Sequence, residues 1–133
     1  MLILLDFTDE VPIYQQIRNQ IVMGIADGRL VPGEKLPTIR SLANESGINM
    51  MTVNKAYSLL KQEGYIQTDR RSGVVVSGTI KKSGIISDKS IQSLKLLISE
   101  AKLNGVSEQG FLTLCSQIYN EAKEVKECQQ QQR

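Results

Sequence analysis

Ser46-Gly47-Ile48-Asn49-Met50-Met51-Thr52-Val53-Asn54-Lys55-Ala56-Tyr57 is the stretch on which the reading of this chain turns. Gly47 suits the end of one helix and Ile48 the corner after it. Asn49 suits the cap of a second helix, because its side chain can accept from a backbone N–H one turn in. That second helix is expected from about Met50 to Glu63, with Gly64 as its stop. At 100° per residue, Val53, Ala56, Tyr57 and Leu60 fall on one side, and Met51, Asn54, Lys55, Ser58 and Gln62 on the other. One face is therefore buried and the other, carrying amides, hydroxyls, a lysine and methionine, is offered.

Upstream, Leu36-Pro37 precedes a short helix for which Thr38 is a plausible cap and Ile39, Leu42 and Ala43 the inner face. A short helix, a glycine-containing turn and a second helix form the helix-turn-helix signature. Before it, Arg29 to Leu36 reads as a loop around a Pro32-Gly33 turn. A first helix is expected to begin with Pro12 at its first helical position, where a missing N–H costs nothing. Its buried stripe is Ile13, Ile17, Ile21 and Ile25, and Gly28 ends it. Met1 to Leu5 reads as a short extended segment on the body.

Downstream, Tyr65–Thr68 and Val74–Ser77 are strand-like and are joined by Asp69-Arg70-Arg71-Ser72-Gly73. A β-hairpin placed directly after such a helix is the wing of a winged helix, and its two arginines suit the backbone or minor groove of a duplex. Gly78 to Lys89 is a linker, with Asp88 as a helix cap. Ile91, Leu94, Leu97, Ile98 and Ala101 then make a helical stripe that Gly105 breaks. A last helix, capped by Ser107, carries Phe111, Cys115, Ile118, Ala122 and Val125 at spacings of 4, 3, 4 and 3, close to a heptad seam. Two helices alone are too thin to bury both stripes; a symmetric second copy is the commonest solution, the alternative being that they fold back onto the chain's own winged-helix body. The expected architecture is mainly α with a small β wing. Residues 1–78 form a winged helix-turn-helix, and residues 79–133 a linker and a two-helix hairpin for dimerisation.

Composition narrows the function classes. The chain of 133 residues is 41% apolar and 23% charged, as in ordinary soluble domains. No run approaches the ~18 apolar residues of a membrane span, so no membrane partner is expected and the cytoplasm is the default. The chain has no histidine, which removes Ser-His-Asp and Cys-His catalysis and every His-containing zinc site. With no GxSxG, no P-loop and no close carboxylate pair, an enzyme is not expected, and neither is a cofactor or metal. Cys115 and Cys128 lie 13 residues apart; on one helix that is ~20 Å, too far to pair. Net charge is only +2, and residues 1–80 balance eight basic against eight acidic side chains. Position matters more than sum, because Arg40, Lys55, Arg70 and Arg71 fall on the elements read as one surface.

Several stretches together resemble the GntR family of bacterial transcription regulators. They are Pro12-Ile13-Tyr14-Gln15-Gln16-Ile17, Leu30-Val31-Pro32-Gly33-Glu34-Lys35-Leu36-Pro37-Thr38-Ile39-Arg40-Ser41-Leu42-Ala43, Thr52-Val53-Asn54-Lys55-Ala56-Tyr57, and Leu60-Lys61-Gln62-Glu63-Gly64-Tyr65-Ile66, followed by Ser72-Gly73. The match runs from about residue 10 to 77 without a gap, and the short two-helix tail resembles the YtrA subfamily. The resemblance implies a dimeric repressor beside a transporter operon. It implies DNA contacts for Arg40 of the LPxxR motif, with Thr38 beside it. On the second helix it implies them for Asn49, Met50, Met51, Thr52, Asn54 and Lys55, and at the wing tip for Arg70, Arg71 and Gly73. It implies a C-terminal interface from Ile91, Leu94, Leu97, Ile98, Phe111, Cys115, Ile118, Ala122 and Val125. Two departures from the family pattern stand out. Methionine occupies position 50, where many members carry arginine, and Arg71 replaces the first glycine of the wing.

The expected partners are double-stranded DNA with two half-sites and a second copy of the chain. The sequence names no small-molecule effector, although the hairpin or the dimer interface leaves a place for one. The competing reading is a winged helix used as a protein-interaction module without DNA, which the neutral balance of residues 1–80 favours.

Overall fold

The computed structural model describes residues 3–131, with side chains through residue 121. Seven elements follow in order: α1 (Ile13–Ala26), α2 (Ile39–Ser46), α3 (Met50–Glu63), β1 (Ile66–Asp69), β2 (Gly73–Val76), α4 (Asp88–Leu103) and α5 (Glu108–Gln131). They fall into two compact units, residues 1–81 and 82–133.

In the first unit α3 is the central element: α1, α2 and β1 all pack against it. Its apolar side is Val53, Ala56, Tyr57 and Leu60, all fully buried, and these meet Ile17 and Ile21 of α1, Leu42 and Ala43 of α2, and Ile66 and Val76 of the hairpin. The helix boundaries follow local chemistry. The Thr38 hydroxyl accepts from the Ser41 N–H at 3.0 Å, and the Asn49 side chain accepts from the Met51 N–H at 2.7 Å. Gly47 and Gly64 end α2 and α3 at φ 67° and 85°, the left-handed region where a side chain would be strained.

Four local expectations need correction. Pro12 is the cap of α1 and not its first helical residue: its ψ of 148° is extended, and its carbonyl accepts from the Gln16 N–H. The hairpin strands are shifted by one residue, to Ile66–Asp69 and Gly73–Val76, paired antiparallel with Ile66 opposite Val76. Tyr65 is still occupied with the helix stop, its N–H donating to Leu60 O. The stretch read as a plain loop supplies a third edge to the wing: Lys35 bridges Val75, and the Gly33 and Leu36 N–H groups donate to Val76 and Val74 carbonyls, both at 2.8 Å. Ser87, and not Asp88, caps α4, its hydroxyl accepting from the Ser90 N–H.

The N-terminal segment is held by two glutamines one turn apart on α1. Gln16 accepts from the Asp6 N–H and donates to the Asp6 and Val11 carbonyls at 2.8 and 2.9 Å, while Gln20 pairs with both polar groups of Leu4. A side-chain amide carries the same donor and acceptor as a peptide, so each glutamine acts as one rung of a strand. Ile3 and Leu5 thereby pack against the core.

The second unit is built differently. α4 has no buried residue. Residues 104–107 connect it to α5, with Gly105 at φ 79° and the Ser107 hydroxyl accepting from the Gly110 N–H. Between the two helices lies an open groove of about 480 Å³, lined by Leu94, Ile98, Ala101, Val106, Phe111 and Cys115 among others. Among the described residues no helix is long and apolar enough to cross a membrane.

Candidate nucleic-acid interface

The face of α3 turned away from the core is polar and open. Asn54, Lys55 and Ser58 are exposed, and so is Met51, at 77%. Met50 and Thr52 sit on the two shoulders of that face. Met50 is 46% exposed. The side-chain oxygen of Asn49 is engaged by the cap bond, so its amide NH₂ is the part left to reach outward.

Arg40 lies on the outer side of α2, one residue after its start, and is exposed. Arg70 and Arg71 lie in the wing turn between the paired residues Asp69 and Gly73. The Arg71 N–H donates to the Asp69 carboxylate at 2.8 Å, which tightens the turn. Gly73 takes φ 77°, and among the described residues no non-glycine residue has positive φ, so Arg71 stands without backbone strain where the family pattern has glycine. The wing needs one left-handed residue, and Gly73 supplies it.

The distribution of ion pairs separates two kinds of cation. Arg18 is bound to Glu63, Nε to Oε1 at 3.0 Å, and the carboxylate bonds hold its guanidinium in the charged form. Arg29 is paired with Asp27 at 2.7 Å. Among the described residues, no carboxylate lies within ion-pair distance of Arg40, Arg70 or Arg71. The neutral sum over residues 1–80 therefore conceals a local excess: arginines on α1 and after it are compensated, while those on α2 and the wing are not.

Lys55 differs from both groups. Its ammonium sits 4.0 Å from the centroid of the Tyr14 ring, a cation–π geometry that draws it toward α1. Tyr14 had no place in the sequence-level site. A Tyr and a Lys 41 positions apart carry no local signal of their contact. Tyr57 was read as core, and its ring is; the hydroxyl also donates to the Pro37 carbonyl at 2.8 Å. Burial pushes this phenol well above its ordinary pKa, so it keeps the proton it donates.

In the second unit, Ile98, Phe111 and Cys115 are half-buried in the groove between α4 and α5, whereas Ile91, Leu94, Leu97 and Ile118 are exposed, at 37–56%. The side chains of Ala122 and Val125 lie outside the described residues.

Three helices around one core, with α3 presented and a hairpin beside it, define a winged helix-turn-helix, the architecture of a DNA-binding regulator. Comparison with known proteins makes this definite. The profile of the bacterial regulatory proteins of the gntR family matches residues 13–76. The HTH-type transcriptional repressor YtrA of Bacillus subtilis is 36% identical over 107 residues, 79% of this chain and 82% of that protein. Among solved structures, a transcriptional antiterminator from Listeria monocytogenes EGD-e superposes with a TM-score of 0.76 at 26% identity, covering 92% of both chains. YtrA from Sulfolobus acidocaldarius, a GntR-family transcription factor, is 38% identical with a TM-score of 0.55, over 90% of this chain and 97% of that one. The chain belongs to the GntR family and is YtrA-like within it. It is a DNA-binding transcription regulator and not an enzyme.

Proposed function

We propose that the chain works as a homodimer that represses a neighbouring operon, with transporter genes as the class of target that the family resemblance implies. In this reading residues 1–78 bind DNA and residues 79–133 join two copies. α3 enters the major groove, where Asn54 pairs with adenine N6/N7 and Met51 meets a thymine methyl, with Asn49, Met50 and Thr52 at the helix start beside them. Arg40, Thr38 and Lys55 engage phosphates. Arg70 and Arg71 reach the adjacent backbone or minor groove, from a turn shaped by Gly73. Two copies place two such helices on half-sites about one or two turns apart, roughly 34 Å each.

The observation that carries this reading is the set of uncompensated arginines on α2 and the wing, two elements that pack against the helix with the open polar face. A protein-interaction module has no need of them. Repression is supported by the Bacillus relative, which is a transcriptional repressor. The dimer is supported by the apolar side chains that the second unit leaves exposed.

The test is binding to the DNA upstream of the chain's own gene at two or more salt concentrations. Arg40→Ala should weaken binding to every sequence and make the plot of log K against log salt shallower by ~0.9, one phosphate contact. Asn54→Ala should instead relax sequence preference at one base pair, worth about 1–3 kcal/mol of discrimination. Wild-type affinity in Arg40→Ala, or no binding by the wild-type chain, overturns the assignment.

A further inference from the structure

Tyr57 is fully buried, and its one polar atom reaches across the fold to a carbonyl 20 residues earlier. That carbonyl, on Pro37, occupies a particular place. On its N-terminal side, residues 33–36 are joined to β2: the Gly33 and Leu36 N–H groups donate to Val76 and Val74, and the Val76 N–H donates back to Glu34 O at 2.9 Å. On its C-terminal side, Thr38 caps α2, which carries Arg40 in its first turn. A single stretch of six residues is thus tied first to the wing, then to α3, then to the start of α2. Among the described residues the Tyr57 hydroxyl is the partner of the Pro37 carbonyl, and proline has no N–H with which to make a second tie.

The geometry points to the Tyr57 hydroxyl as a positioning group for DNA binding, one that fixes the start of α2, and with it Arg40, at a set distance from α3 and the wing. This rests on the DNA-binding reading above. The physical reason is that a duplex is rigid on the scale of one half-site. A phosphate-binding arginine and a base-reading helix serve the same site only if their separation is held. The apolar contacts of the Tyr57 ring resist unfolding but are non-directional; the hydroxyl bond is directional and specifies where the Pro37 peptide stands.

Tyr57→Phe removes that oxygen and keeps the ring. The expected result is a roughly tenfold loss of affinity for the upstream DNA, with a salt dependence shallower by ~0.9, as one phosphate contact is lost. Because the effect runs through Arg40, adding Tyr57→Phe to Arg40→Ala should change affinity by less than about twofold, the non-additivity expected of coupled residues. A purely structural role would lower Tm alone, leaving affinity and salt slope untouched at temperatures where the variant is folded by circular dichroism. If Tyr57→Phe is partly unfolded, sucrose restores the folded population and the loss must persist there. Wild-type affinity and slope in folded Tyr57→Phe, or full additivity with Arg40→Ala, overturns this inference alone. Failure of the wild-type chain to bind DNA in the same titration overturns the DNA-binding reading and this one with it.

Discussion

The two units of this chain solve the same problem in opposite ways. In residues 1–81, α3 is surrounded: four of its side chains are fully buried and every neighbouring element packs on it. In residues 82–133, two helices of 16 and 24 residues carry comparable apolar stripes, yet no residue of α4 is fully buried and Leu97 stays 54% exposed. Amphipathic periodicity is present in both. The difference is that three helices and a hairpin enclose a core, while two helices enclose only a groove. A helix with half its apolar stripe in water is incomplete as a folded object, and the contrast predicts that the two units depend differently on concentration.

The largest expected effect follows from that contrast. If residues 82–133 join two copies as proposed, this segment expressed alone should lose helicity on dilution, because dissociation returns both apolar stripes to water. Residues 1–81 alone should unfold at a concentration-independent Tm. In the full chain, Leu97→Glu should shift sedimentation from dimer toward monomer with little change in the unfolding of the first unit. A monomer with intact helicity for residues 82–133 at micromolar dilution would break the comparison.

A smaller effect sharpens the other side. Leu60→Ala, at a fully buried position beneath α3, should destabilise the first unit by about 2–5 kcal/mol in a urea titration. The same truncation at Leu97 should cost much less in a dissociated chain, because no cavity forms where there is no enclosure.

The smallest effect concerns the edge of the first unit. Gln16→Ala leaves the Asp6 N–H and the Asp6 and Val11 carbonyls without their partner. A cost of about 1–3 kcal/mol is expected, along with faster hydrogen exchange in the N-terminal segment. The open polar side of α3 should be unaffected, so affinity for the upstream DNA is the control.

Much of this was legible in the residues. The α3 stripe, the caps Thr38 and Asn49, and the glycine stops at 47 and 64 are all local signals. Each depends on neighbours within one helical turn, and each is found where spacing places it. The hairpin was legible to within one residue, since turn chemistry marks the tip more sharply than the strand ends. The Lys35–Val75 bridge was not, because a bridge between residues 40 apart leaves no mark on either sequence window. The same holds for the Gln16 and Gln20 rungs, which look like ordinary polar positions on a helix.

The interface divides along the same line. Sequence alone determined which side of α3 is apolar, where the helices begin and end, and that cations occur on α2, α3 and the wing. These are matters of period and cap chemistry, which act over a few residues. Only the tertiary structure decided which cations are free. Glu63 meets Arg18 and Tyr14 meets Lys55 because α1 crosses α3, and nothing local anticipates either contact. Arg40, Arg70 and Arg71 keep uncompensated charge for the complementary reason: the fold brings no carboxylate to them among the described residues.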